Sequence, residues 1–325
     1  MKFLKVCVVA VAVLVLVTAS LAMAGETLDS VKKRGYVIAG VNGGVFGFSM
    51  PDDKGVWKGL DVDTARAIAA AVFGDADKVK YVPLTAVQRL PALQAKEIDV
   101  LCRNTTQTLT RETANGLNFA HVNFYDGQGF LVSKKLGIKS AKELDGATVC
   151  VLPGTTTELN VADFFRANNM KWKPVVIEQT AELSKAFFAG RCDLLTSDIS
   201  QLAAHRAVAP NPDEYTLLPV VISKEPLAPV VRHGDDQWYD IVNWTVMALL
   251  QAEELGIGLS AAFDSPSAVP YSDVNLQLRK GKAPAWTADS SLSEVTTVQL
   301  EFRDLSRQSG NPVYEVRLKR QTGSQ

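Results

Sequence analysis

Apolar and polar positions along this chain switch repeatedly between two periods. Short β-branched runs at 36–41, 80–83 and 98–102 predict strands, and apolar residues recurring every three or four positions at 61–73 and 86–96 predict the helices between them. The rhythm then repeats, with strands at 147–152, 175–177 and 192–196 and helices at 156–168, 181–189 and 199–208. Two successive strand–helix–strand series predict an α/β fold with a mainly parallel sheet in each half. A Gly-punctuated extended stretch, 124–132, separates the series, and a Pro-containing one, 217–231, follows the second. The chain is therefore expected to leave the first half and later return to it. The return ends in an amphipathic helix at 235–255, with Trp238, Ile241, Val242, Leu249 and Ala252 on one face.

The first 24 residues follow a different pattern. Lys2 and Lys5 precede an apolar run, 6–17, and Ala22-Met23-Ala24 offers the small residues of a cleavage site, which predicts a secretory signal removed after Ala24. The run is short for a bilayer span, which takes roughly 17–25 residues. Composition sharpens this picture. The 325 residues are 47% hydrophobic and 21% charged, as in a folded protein, and their number predicts two domains. Lys+Arg 34 against Asp+Glu 35 gives −1, and losing Lys2 and Lys5 leaves 32 − 35 = −3. Such a chain has no positive field to collect phosphates, so nucleic acid is excluded as a partner.

Export into an oxidising compartment leaves Cys102, Cys150 and Cys192, an odd number. Cys150 lies in one predicted strand and Cys192 opens another, so neighbouring parallel strands predict a Cys150–Cys192 disulfide. His121, His205 and His233 are scattered and no Cys-x-x-Cys occurs, which predicts neither a metal site nor a cofactor.

Three constellations stand at strand ends, where open α/β sheets bind ligands. The first runs from Arg103 to Arg111, with Thr106 and Gln107 inside it. A guanidinium among hydroxyls suits a carboxylate, because its planar fork donates two parallel charge-assisted bonds; a surface Arg opening a helix is the alternative. The second is the turn Pro153-Gly154-Thr155-Thr156-Thr157-Glu158, where Thr155 and Glu158 have capping-box spacing. It reads as an anion seat at a helix start or as an ordinary cap. The third is Asp198, which could hold an ammonium or cap the following helix.

The order of these pieces resembles the periplasmic amino-acid-binding proteins of bacterial ABC importers, the family-3 solute-binding proteins, and within them the general L-amino-acid-binding group. The carrying stretches include 47–63 with its Trp-Lys-Gly-Leu-Asp, Asp99-Val-Leu-Cys-Arg-Asn-Thr-Thr106, Tyr125-Asp-Gly-Gln-Gly-Phe130, Gly154-Thr-Thr-Thr-Glu-Leu-Asn160 and Gly190-Arg-Cys-Asp193. The resemblance implies a two-lobed, type II periplasmic-binding-protein fold with two extended hinge crossings. Its parts are a signal at 1–24, lobe 1 at 25–128, lobe 2 at 129–224 and a return to lobe 1 at 225–257. It also implies the ligand set: Arg111 and Thr106 grip the α-carboxylate from lobe 1, Thr156 from lobe 2, Asp198 takes the α-ammonium, and Phe48 and Phe46 line the side-chain pocket. The implied life is that of a periplasmic monomer, not an enzyme, which hands L-amino acids to an ABC permease in the inner membrane.

Two departures stand out. Gln107 occupies the place where the group usually has Trp, which changes the size and polarity of the pocket. From about residue 258 to 325 the family's closing segment is missing, and the turn-rich stretch there reads as a foreign, frameshifted C-terminus. Competing functions are a ligand-sensing subunit for a receptor and a dehydratase-like enzyme on the same fold. No GxSxG, HExxH or P-loop supports the enzyme.

Overall fold

Gly59 takes φ 117°, and a Cβ on it would collide with the Phe48 carbonyl, so only glycine lets the 47–49 turn lie against the start of the next helix. Such junctions order a computed structural model that describes residues 25–259, 273–275 and 280–282. The expected signal at 1–24 and most of the tail at 258–325 lie outside the described residues. The chain divides into two compact units, residues up to Thr245 and residues from Val246 on.

In the first unit the elements are α1 (Glu26–Arg34), β1 (Val37–Val41), β2 (Met50–Pro51), β3 (Trp57–Lys58), α2 (Leu60–Phe73), β4 (Val79–Pro83), α3 (Arg89–Gln94), β5 (Val100–Leu101), α4 (Leu109–Thr113) and β6 (Leu117–Phe119). There follow β7 (Phe124–Ser133), β8 (Thr148–Val151), α5 (Thr156–Ala167), β9 (Lys173–Val176), α6 (Thr180–Phe188), β10 (Leu194–Asp198), α7 (Ile199–Ala207), β11 (Tyr215–Leu217), β12 (Ser223–Leu227) and β13 (Val230–Arg232). Helix α8 (Asp236–Leu259) begins in this unit, and its Trp238 and Val242 are buried. Leu249, expected on the same apolar face, is exposed. The second unit holds an antiparallel pair, β14 (Asp273–Asn275) and β15 (Lys280–Lys282).

Two sheets form two lobes. The first has the order β4-β1-β5-β13-β6, and the second β11-β7-β10-β8-β9 with β12 also on β7. Each has a parallel half, β4-β1-β5 and β10-β8-β9, and an antiparallel half where the crossing strands enter. The two extended stretches pair with each other over Gln128↔Ser223 to Phe124↔Leu227, a ribbon joining the sheets. Side chains on β7 alternate between faces. Phe130 and Val132 pack with Val161 and Phe165 of α5, while Leu131 packs with Leu183 and Phe187 of α6 and Leu202 of α7.

The second lobe carries a Cys150–Cys192 disulfide with Cα atoms 5.7 Å apart, as the adjacent placement of β8 and β10 implies. It closes a loop of sequence separation 42 in a buried cluster. The double variant Cys150→Ala/Cys192→Ala is expected to lose about 4 kcal/mol by the loop-closure argument. Urea unfolding checks this, and a loss under about 1 kcal/mol contradicts it. Cys102 is free and buried, and burial first, then Asp61, pushes its thiol well above the usual range.

Candidate functional site

After β5 the chain turns sharply at Asn104, a non-glycine residue at φ 30°. This turn aims the Asn104 N–H at both Asp61 carboxylate oxygens, 3.2 and 3.3 Å away. Burial raises Asp61 to about 6 against the pull of that N–H and of Arg103. The next residues are stitched to the returning strand: Thr106 bridges Leu227, and the Gln107 N–H donates to the Pro226 carbonyl at 2.8 Å. Thr108 caps α4, and Arg111 on that helix donates from Nη1 to the Thr106 carbonyl at 2.5 Å. Burial lowers the Arg111 pKa, while Glu225 and Asp198 hold its proton on.

On the other sheet, the Thr155 half of the expected capping box is present at the head of α5, while Glu158 reaches one residue past the cap. Thr155 Oγ1 accepts from the Glu158 N–H at 3.0 Å, and Glu158 accepts from the Gly154 N–H at 2.8 Å. Thr156, one residue on, is thereby free to turn toward the first sheet. Asp198 ends β10 directly before α7 but makes no side-chain cap bond. Its buried carboxyl is pushed up to about 8, first by desolvation, then by Glu225 and Asp126, with Arg89 and Arg111 opposing.

Between the sheets lies a small cavity of about 20 Å³. From the first sheet's side Asn42, Arg89, Arg103, Asn104 and Thr106 line it; from the second come Thr156, Ser197, Asp198 and Gln201. Three of the four expected clamp residues, Thr106, Thr156 and Asp198, therefore meet at one hollow. Arg111 stands behind Thr106, near enough for Glu225 and Asp198 to act on its charge.

Glu225 on β12 is the residue that sequence reasoning missed most completely. Its Oε2 accepts from Thr106 Oγ1 at 2.7 Å and from Thr156 Oγ1 at 2.8 Å, and the two hydroxyl oxygens are 3.3 Å apart. Its Oε1 accepts from Asn160 Nδ2 at 2.8 Å and from the Ser223 hydroxyl. A threonine hydroxyl has one hydrogen, so in this arrangement both protons are committed to Glu225 and lone pairs remain for anything else.

The aromatic and amide positions lie elsewhere. Phe48 is buried, edge-to-face on Phe124 with centroids 5.3 Å apart, in a cluster with Val45, Ala204 and Leu227. Phe46 is 62% exposed, and neither ring is among the cavity's lining. Gln107 donates from Nε2 to Glu112 at 2.8 Å. Arg89, Asn42 and Gln201 were also missed. A signal for Arg89 existed in the sequence, since it falls between apolar positions of a predicted core-facing helix, where a charge needs a reason. The histidines stay apart, and His205, bonded through Nδ1 to Ser184 Oγ at 2.9 Å, is lowered to about 4 by burial. No cluster able to hold a metal ion occurs among the described residues.

Known proteins match this arrangement. The description "Bacterial extracellular solute-binding proteins, family 3" fits residues 37–257. A second, glycosyl hydrolase family 47, falls on residues 238–323, most of them beyond the described residues. The general L-amino acid-binding periplasmic protein AapJ of Rhizobium johnstonii is 53% identical, over 82% of this chain and 77% of its own. The glutamate/glutamine/aspartate/asparagine-binding protein BztA of Rhodobacter capsulatus is 57% identical, over 73% and 70%. Among solved structures, an ABC transporter/periplasmic binding protein from Brucella ovis with glutathione bound is 51% identical, with a TM-score of 0.69 covering 74% of this chain and 76% of that one. Matched by family description over most of its length and by relatives above half identity, the chain belongs to the bacterial extracellular solute-binding proteins, family 3.

Proposed function

We propose that the protein captures L-amino acids in the periplasm by closing its two lobes on the ligand zwitterion and delivers them to the permease of an ABC importer. The observation that carries this reading is the polar hollow shared by both sheets, with Asp198 on one side and the Arg103–Arg111 segment on the other. An amino acid has an anion and a cation close together, and burying both needs fixed partners of opposite sign across a cleft that excludes water. Arg111 answers the carboxylate and Asp198 the ammonium. Thr106 and Thr156 join the grip once a ligand oxygen draws their protons from Glu225. Contacts from both lobes exist only when the lobes are together, so ligand favours closure about the paired crossings.

The remaining parts fit this role: cleavage after Ala24, lobe 1 at 25–128 rejoined by 225–257, lobe 2 at 129–224, and a monomeric working form. Catalysis is not part of the proposal. The Cys102 thiol is buried with a raised pKa, and the Ser184–His205 pair is buried with no acid on His205 Nε2, so neither offers an activated nucleophile.

A thermal-shift panel of the twenty amino acids tests the reading, with glutathione, sugars and polyamines alongside. Glutathione belongs there because its γ-glutamyl end carries the same zwitterion. At least one L-amino acid is expected to raise the melting temperature, by a stabilisation of about 2.7 kcal/mol at a hundredfold excess over Kd. No shift with any amino acid, followed by no heat in calorimetry, would overturn it.

A further inference from the structure

The residues expected to grip an α-carboxylate do meet at a carboxylate, and it is the protein's own. Glu225 Oε2 takes the Thr106 hydroxyl proton at 2.7 Å and the Thr156 hydroxyl proton at 2.8 Å. Of the charges that support the Arg111 guanidinium, Glu225 comes before Asp198. Neither Glu225 nor Arg111 lines the small cavity, which the two threonines do border.

The same carboxylate also ties together parts of the fold that are otherwise separate. Thr106 follows β5 of the first sheet, Thr156 and Asn160 lie on α5 of the second lobe, and Ser223 opens β12, the crossing strand that carries Glu225 itself. Asn160 Nδ2 and the Ser223 hydroxyl donate to Oε1, as the two threonines do to Oε2. Glu225 is 1% exposed. A carboxylate so deeply buried stays charged only where donors satisfy its oxygens, and these donors come from both lobes.

We infer that Glu225 is a built-in stand-in for the ligand's α-carboxylate, an autoinhibitory contact that holds the lobes together and must give up its threonines before an amino acid is gripped. The inference rests on the amino-acid-capture reading above. A threonine hydroxyl has one proton and cannot serve Glu225 and a ligand carboxylate at once. Two carboxylates beside one guanidinium also repel each other. Binding therefore exchanges one anion for another, and the apparent affinity falls by the fraction of molecules in which Glu225 has released the donors. Every amino acid presents the same α-carboxylate, so the handicap is common to all of them. A merely supporting Glu225, which fixed the threonines for the ligand, would give the opposite sign when removed.

Small-angle X-ray scattering and calorimetry on the full chain test this, after unfolding and refolding have stripped any bound amino acid. The unaltered protein is expected to scatter as the joined-lobe form described here, and Glu225→Ala to show a larger radius of gyration. Each of the twenty amino acids that binds the unaltered protein should bind Glu225→Ala about tenfold more tightly. Asn160→Ala removes one anchor but keeps the Glu225 charge, which also bears on Asp198, and should gain about threefold. It reads the same quantities should Glu225→Ala fail to fold. Unaltered protein that scatters as an open form, or scattering equal to that of Glu225→Ala, overturns the stand-in, as do affinities that stay level or fall in the variants. A gain in Glu225→Ala without one in Asn160→Ala assigns the effect to charge near Asp198 and overturns it too. All of these leave amino-acid capture in place. Failure of all twenty amino acids to bind any of the three proteins overturns the capture reading, and the stand-in falls with it.

Discussion

Asp198→Asn is expected to stabilise the ligand-free protein at neutral pH while abolishing amino-acid binding. The buried carboxyl, pushed up to about 8, favours its neutral form in the folded state. A group whose folded pKa is raised contributes in full below its unfolded value, near 3.8, and loses that contribution as pH rises through about 8. At pH 7 the loss amounts to about 4 kcal/mol by linkage, most of which an uncharged Asn removes. Urea unfolding between pH 5 and pH 8 checks this: the unaltered protein should lose stability relative to the variant as pH rises. Parallel curves would mean that Asp198 carries its charge without cost. Asp61, raised to about 6, slopes the same way at lower pH but does so in both proteins. Binding moves oppositely, because Asn offers no charge to an ammonium. The same pKa makes the unaltered protein release a proton when an ammonium ionises Asp198, which appears as a buffer-dependent binding enthalpy near pH 7.

Arg111→Ala is expected to cost about 3–5 kcal/mol of binding, the penalty of leaving a desolvated carboxylate without its cation. A calorimetric loss under about 1 kcal/mol would show that Arg89 or Arg103, which border the cavity, holds the anion instead. Arg111 also opposes the rise of Asp198, so its loss should push the Asp198 carboxyl higher still. The two substitutions act on one electrostatic network and should not add. Arg111→Lys is the control for geometry, since it keeps the charge but not the fork that reaches the Thr106 carbonyl.

Much of the scaffold was legible because hydrophobic period reports local structure directly. Boundaries moved where side chains intervened. The helix expected at 86–96 starts only at Arg89, because Thr85 and Gln88 bond each other's backbone N–H groups and make a separate turn. The strand expected at 98–102 shortens to Val100–Leu101, as Asp99 is held by Arg34 and the Ile38 N–H. The segments bearing Thr106, Thr156 and Asp198 stood out because strand ends are where such folds expose chemistry, while the ligand roles expected of these residues came from the family resemblance. Glu225, Gln201 and Asn42 did not stand out, since their roles come from the meeting of segments far apart in sequence. Glu225 sits in a Ser-Lys-Glu-Pro stretch that reads only as an extended crossing, and nothing local announces that two threonines from different sheets will converge on it.

The strand order of the first sheet bears on how the chain matures. Strand β13, at 230–232, lies between β5 and β6, which are both complete by residue 119. A polypeptide emerging from its N-terminus therefore presents two bare strand edges until the whole intervening sheet has been made, and bare edges invite pairing with other chains. Every cavity-lining residue precedes position 230, yet the wall bearing Arg103 and Thr106 has no neighbour strand on that flank until the final short segment slots in. Recognition is thus assembled last, by three residues that are not among the cavity's lining.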